Sequence, residues 1–155
     1  MENMIFDKIF GKSPIVFIVT GRPPRKFRGG SVWSSDSEAP LVKKLREHAL
    51  RARNQARINQ WFTTPVRLDL IIYSKNTYDS KSAHNYVGDI DGFVAGVCES
   101  LQPANEQAPH HEIFNNKDVD PKIPILFSDD SLVVEVHAKK IKSEEPSYKI
   151  TIQNI

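Results

Sequence analysis

The sequence predicts an α+β fold, a single domain of two layers in which two helices cover one face of a mixed β-sheet in the order β-α-β-α-β-β. Three observations lead to it. Two segments repeat apolar residues at helical spacing, four short segments are rich in β-branched residues, and 155 residues is the usual size of one domain with one core.

The first strand is expected in "SPIVFIVTG", Ser13 to Gly21, where a β-branched and aromatic run closes on glycine and Pro23-Pro24; it reads as a buried strand. "GRPPRKFRGGSVWSS" follows, with two prolines and three glycines, and reads as a loop. From Pro40 to about Asn59, Leu41, Leu45, His48, Ala49, Ala52 and Ala56 recur at helical spacing. The other faces of that helix carry Lys43, Lys44, Arg46, Arg51, Arg53 and Arg57 against one acid, Glu47, so a basic surface is expected. In "VRLDLIIYS", Val66, Leu68, Leu70 and Ile72 alternate with Arg67 and Asp69, the period of a half-buried strand. The polar run "KNTYDSKSAHNYVG" leads to a second helix, whose stripe is Ile90, Phe93, Val94, Val97, Cys98 and Leu101. Its small residues Gly92, Ala95 and Gly96 suit close packing against a sheet. Residues 102–124 have no clear period and read as a surface excursion. A third strand is expected in "ILFSDDSLVVEVHAKKI", with Leu132, Val134, Val136 and Ala138 on one face, and a last one in "SYKITIQ". Strand order does not follow from these patterns.

Composition narrows the function classes. No apolar run approaches the ~20 residues of a membrane span, so no membrane partner is expected. Acidic Glu2 and Asp7 stand where a secretory signal is basic, and the single cysteine, Cys98, permits neither an internal disulfide nor a cysteine zinc site. A cytoplasmic location is the expectation. The net charge of +2 conceals an asymmetry: residues 1–60 hold 12 Lys and Arg against 5 Asp and Glu, the remainder 9 against 14. A basic half points to a polyanionic partner, unless it is simply solvated or paired with the acidic half.

Two carboxylates, Asp89 and Asp91, precede the second helical stripe, and Asp129-Asp130 precede the third strand. One aspartate is accounted for as an N-cap; a second beside it adds repulsion that a cation would relieve. The second pair is equally at home in a turn. Brought together, such acids suit magnesium, a hard cation that takes carboxylate and water oxygens plus substrate phosphate.

"GRPP" after an opening strand, "DID" at the start of an apolar helix and "SDDSLVVEVHAKK" beyond it resemble the RusA-type Holliday junction resolvases, small dimeric magnesium-dependent endonucleases of bacteria and their phages. The resemblance spans about Ser13 to Lys140 and makes residues 1–155 one such domain, with 102–124 as a loop insertion. It implies Asp89, Asp91 and Asp130 as catalytic and metal-binding acids, with Asp129 a neighbour, and Mg²⁺ as cofactor with Mn²⁺ able to substitute. It further implies a homodimer acting on branched DNA. Arg22, Arg25, Lys26, Arg28, Arg46, Arg53 and Arg57 would then contact backbone phosphates, and Phe27 would wedge at a junction; Trp33 fits core packing better. Two positions depart from the family pattern: Gly92 replaces an asparagine, and Ala95 replaces a lysine whose ammonium would balance the acids. The alternative is therefore a catalytically impaired DNA-binding module, unless Lys75 or Lys81 supplies the charge.

Other signals carry less. His110 and His111 with Glu112, Asp118 and Asp120 lack the helical spacing that chelates zinc. Cys98 falls on the buried stripe, and His137 points outward from a strand.

Overall fold

A computed structural model of the chain describes residues 14–79, 86–105, 110–115 and 120–155. The elements follow the expected order: β1 (Ile15–Thr20), α1 (Ala39–Gln55), β2 (Val66–Ser74), α2 (Ile90–Leu101), β3 (Val133–Lys142) and β4 (Ser147–Asn154). The sheet order is β1-β4-β2-β3. β4 is antiparallel to both β1 and β2, while β2 and β3 are parallel, with α2 in the connection between them.

Alternation decides what each strand buries. Val66, Leu68, Leu70 and Ile72 of β2 are fully buried, as are Ile150 and Ile152 of the neighbouring β4. Leu45 and Ala49 of α1 and Phe93, Val97 and Leu101 of α2 complete the core above them. β1 departs from the expected fully buried strand. It is an edge strand, so Ile15, Phe17 and Val19 face the helices while Val16 and Ile18 lie exposed on the open face. β3 departs too. Leu132 lies before the strand in a short turn, and an irregularity opposite Val66 and Arg67 takes Val134 out of the face expected for it with Val136 and Ala138; Val134 and Val136 are exposed at this second edge.

The buried face of α1 is turned from the one expected. Val42, Leu45, Arg46, Ala49, Ala52 and Arg53 are buried, whereas Leu41 and His48 are half-buried and Ala56 is exposed. The described part of residues 102–124 is more than a surface excursion. Ala104 and Phe114 pack with Val32, Trp33, Ala39 and Val42 in a second small core. Among the described residues no helix is long and apolar enough to cross a membrane.

Candidate functional site

Small residues on α2 bring the basic loop to the acids. Lys26 N donates to Gly92 O at 3.0 Å, and a Cβ at Gly92 would meet the Arg25 Cγ at 3.2 Å. A Cβ at Gly96 would overlap the Pro24 carbonyl. The glycines therefore receive the loop, not the sheet as the sequence suggested.

Glu38 fixes the other side of that loop. Its buried carboxylate accepts both Arg22 guanidinium nitrogens, at 2.7 and 2.6 Å, the Arg25 amide at 2.7 Å and the Ser37 hydroxyl at 2.8 Å. Burial alone would push the Glu38 carboxyl up. The Arg22 fork, the Arg25 amide, Ser37 and the Arg22 charge outweigh it, so its pKa lies below the ordinary glutamate value.

Asp89 and Asp91 are both exposed and line one groove with Arg25, Lys26, Phe27, Arg28, Tyr86, Gly88 and Gly92. Asp89 occupies the N-cap position of α2, but its side chain caps no amide; it accepts from the Tyr86 hydroxyl instead. That hydrogen bond, with lesser contributions from desolvation and the Asp89 charge, pushes the Tyr86 phenol up to about 12. Asp91 Oδ1 accepts from the Gly92 amide at 3.0 Å. Helix capping thus does not account for Asp89. Arg25 stands over the same groove, donating to Val87 O at 3.1 Å and lying 4.4 Å from the Phe27 ring centroid. Phe27 itself is 44% exposed.

Asp130 does not join the pair. Its amide donates to Gln102 Oε1 at 2.7 Å, beyond the C-terminal end of α2, whereas Asp89 precedes the helix. It lines an adjoining groove with Lys26, Ala95 and Glu99, so that Lys26, paired to Glu99 at 3.4 Å, borders both grooves. Asp129 is used by the local turn, accepting from Ser131 N at 2.7 Å. Among the described residues no group of three or more His, Cys, Asp or Glu side chains is placed to hold a metal ion together. What the structure brings together is a two-carboxylate donor set. Magnesium accepts such a set, since it commonly engages one or two carboxylates and completes its shell with water and phosphate.

The basic residues divide sharply. Arg25, Lys26 and Arg28 border the acidic groove, and Arg22, though tied to Glu38, lines a second groove with Arg25, Lys75 and Tyr86. Arg46 and Arg53 correct the expectation of phosphate contacts, because both are buried. Arg46 donates to the carbonyls of Ser100 at 2.8 Å, Gln102 at 3.1 Å, Asp120 at 2.9 Å and Ile123 at 2.5 Å, and stacks on Trp33. Arg53 donates to Ile125 O at 2.7 Å. Arg57 is exposed but follows α1, whose 17 residues separate it from the loop by about 25 Å. Lys75 is exposed, while Lys81 and Asp118 lie outside the described residues. His111 pairs with Asp36 at 3.0 Å and His110 approaches the Asn105 carbonyl at 3.2 Å, so neither histidine faces the acids. Burial, reinforced by Asp130, pushes the Cys98 thiol up to about 12, which fits a core residue.

Sequence reasoning missed Glu38 and Tyr86. Glu38 had a weak signal, the second of two acids in "SSDSE" beside a basic loop. Tyr86 had only its position three residues before Asp89. Compared with known proteins, the chain matches no family model and no curated protein.

Proposed function

We propose that the chain is a RusA-like, magnesium-dependent endonuclease acting on branched DNA as a homodimer in the cytoplasm. The observation that carries this reading is the clamping of the Arg25–Arg28 loop onto α2 beside Asp89 and Asp91, which puts three cations and two carboxylates in one groove. Lys26 and Arg28 grip backbone phosphates, giving position and salt dependence but no base specificity. Arg25, tethered to Val87 O, holds its guanidinium against the strand at the acid pair. Phe27 at the groove's lip offers a stacking face to an unpaired base. Tyr86 fixes the rotamer of Asp89, and Asp89 and Asp91 are the residues that would hold the ion. A magnesium ion held there, or manganese in its place, would supply positive charge to the phosphodiester and lower the pKa of water for hydrolysis.

A second reading, a DNA-binding module without cleavage, is favoured by one observation: Asp130 sits apart from the pair, in a groove where Ala95 supplies no ammonium and Lys26 is already paired to Glu99 at 3.4 Å. One experiment separates the two. Binding and cleavage of a synthetic four-way junction are measured side by side in magnesium and in manganese, with Asp91→Asn as control. The nuclease reading expects metal-dependent nicking that Asp91→Asn abolishes while binding persists. Binding with no nicking in either metal selects the module, and absence of junction binding by the wild-type chain overturns both.

A further inference from the structure

β3 is ten residues long and forms an edge of the sheet: β2 lies on one side, and among the described residues no strand pairs with the other. An exposed, unpaired strand of that length is a template for another strand. Natural edges are commonly blunted with proline, a bulge or lysines; "VVEVHAKKIK" contains no proline, its bulge lies at its N-terminal end, and its lysines are joined by an acid, Glu135.

The order of those charges selects a partner. A two-fold axis perpendicular to the sheet keeps the open face on one side, so an antiparallel self-pairing must be centred on a residue, not between two. Centred on His137, Glu135 of each copy stands opposite Lys139 of the other and Val136 opposite Ala138; Val133, in register with Val66 beyond the bulge, lies on the helical face and takes no part. The pair flanking His137 on the open face is then acid with base, and the pair on the helical face apolar with apolar. Moving the centre to Lys139 sets two ammonium groups against each other, and moving it to Ala138 sets His137 against Lys139; both lose the Glu135–Lys139 pairing. The needed groups are accessible. Glu135 and His137 side chains are 44% and 57% exposed, and Lys139 is exposed.

We infer that the β3 edge is the homodimer interface, joining two copies of this chain through an antiparallel β3–β3 pair centred on His137 into one eight-stranded sheet. This deepens the dimer part of the proposed function and does not depend on the nuclease part. Because the two-fold axis preserves the faces of the sheet, both helical layers, and both acidic grooves, lie on the same side of the assembly. That is the arrangement a single branched DNA requires of two protomers.

The test is sedimentation velocity of the full chain without DNA across the micromolar range, so that its failure is distinct from a failure to bind junctions. The wild type is expected as a species of twice the 17.6 kDa chain mass. Lys139→Glu, which sets Glu opposite Glu135 twice over, is expected to weaken association by at least about tenfold. In the double variant Glu135→Lys/Lys139→Glu the complementarity returns with reversed sign, and the dimer re-forms; Arg67 then retains Asp69 at 3.0 Å as its partner. Far-ultraviolet circular dichroism checks that each variant is folded. A monomeric wild type, a dimer indifferent to Lys139→Glu, or a folded double variant that stays monomeric each overturns the inference.

Discussion

Glu38 shows how much one carboxylate decides here. It is fully buried and receives four hydrogen bonds, two of them from the Arg22 fork, so it holds the loop that carries Arg25 while neutralising Arg22. Its folded pKa is depressed, so the unfolded chain binds the proton more readily and stability rises with pH through this range. The contribution is complete above the ordinary glutamate pKa and is lost as pH falls through the lower folded value. Glu38→Gln keeps the size but cannot accept a charged fork. At neutral pH we expect it to cost roughly 3 kcal/mol, the low end for breaking a buried pair, because Arg22 keeps some contact with water. Urea unfolding at pH 7 and again in strong acid reads both effects: a large gap between wild type and variant at the first, narrowing at the second. An equal gap at both values would mean that Glu38 acts through packing alone. Arg46 is the counterpart among the cations. Its charge suggested a surface role, but four carbonyls from two segments, the end of α2 and the turn at 120–123, need a donor, and a guanidinium with five N–H groups meets that need better than water held in a closed interior.

At the scale of elements, α2 is shaped by what it must let approach. Gly92 and Gly96 lie one turn apart on the face that receives residues 24–26. Helix propensity alone says that Gly96→Ala should stabilise by about 1 kcal/mol. The overlap with the Pro24 carbonyl, a backbone atom in a proline-stiffened loop, works against this, and overpacking of that kind costs about 1–3 kcal/mol. We therefore expect Gly96→Ala to lower the melting temperature and to weaken junction binding through displacement of Arg25 and Lys26. A stabilised variant with unchanged binding would show that the loop is not clamped. The elements themselves were legible because period is a local property: β2 alternates over nine residues, and the stripe of α2 repeats over twelve. Partners are not local. Nothing in "GDIDGFVAG" tells whether its glycines face the sheet or a loop some seventy residues earlier. Nothing in the spacing of Asp89, Asp91 and Asp130 shows that the third acid lines a different groove from the first two. The turn of α1 away from its expected face has the same origin. Arg46 and Arg53 counted as polar in the pattern, yet their stems and bonded heads belong to the interior.

For the molecule as a whole, the question is how much of the basic half is available to a polyanion. By sequence, seven arginines and lysines were candidates for phosphate contact. Folding removes Arg46 and Arg53 into the interior, ties Arg22 to Glu38 and places Arg57 at the far end of α1. Arg25, Lys26 and Arg28 remain at the acidic groove, with Lys75 in the groove next to it. Each phosphate neutralised on duplex DNA contributes a slope of about −0.9 in log affinity against log salt, so these three or four cations predict about −3 to −4 per protomer, against roughly −6 for all seven. Fluorescence anisotropy with a labelled four-way junction over a series of salt concentrations measures the slope directly. Arg28→Ala should flatten it by about one phosphate's worth, whereas Arg57→Ala should leave it unchanged. A slope near −6, or one that Arg57→Ala flattens, would mean that DNA runs along α1 towards Arg51 and Arg57, and the clamped loop would then be only one end of a longer track.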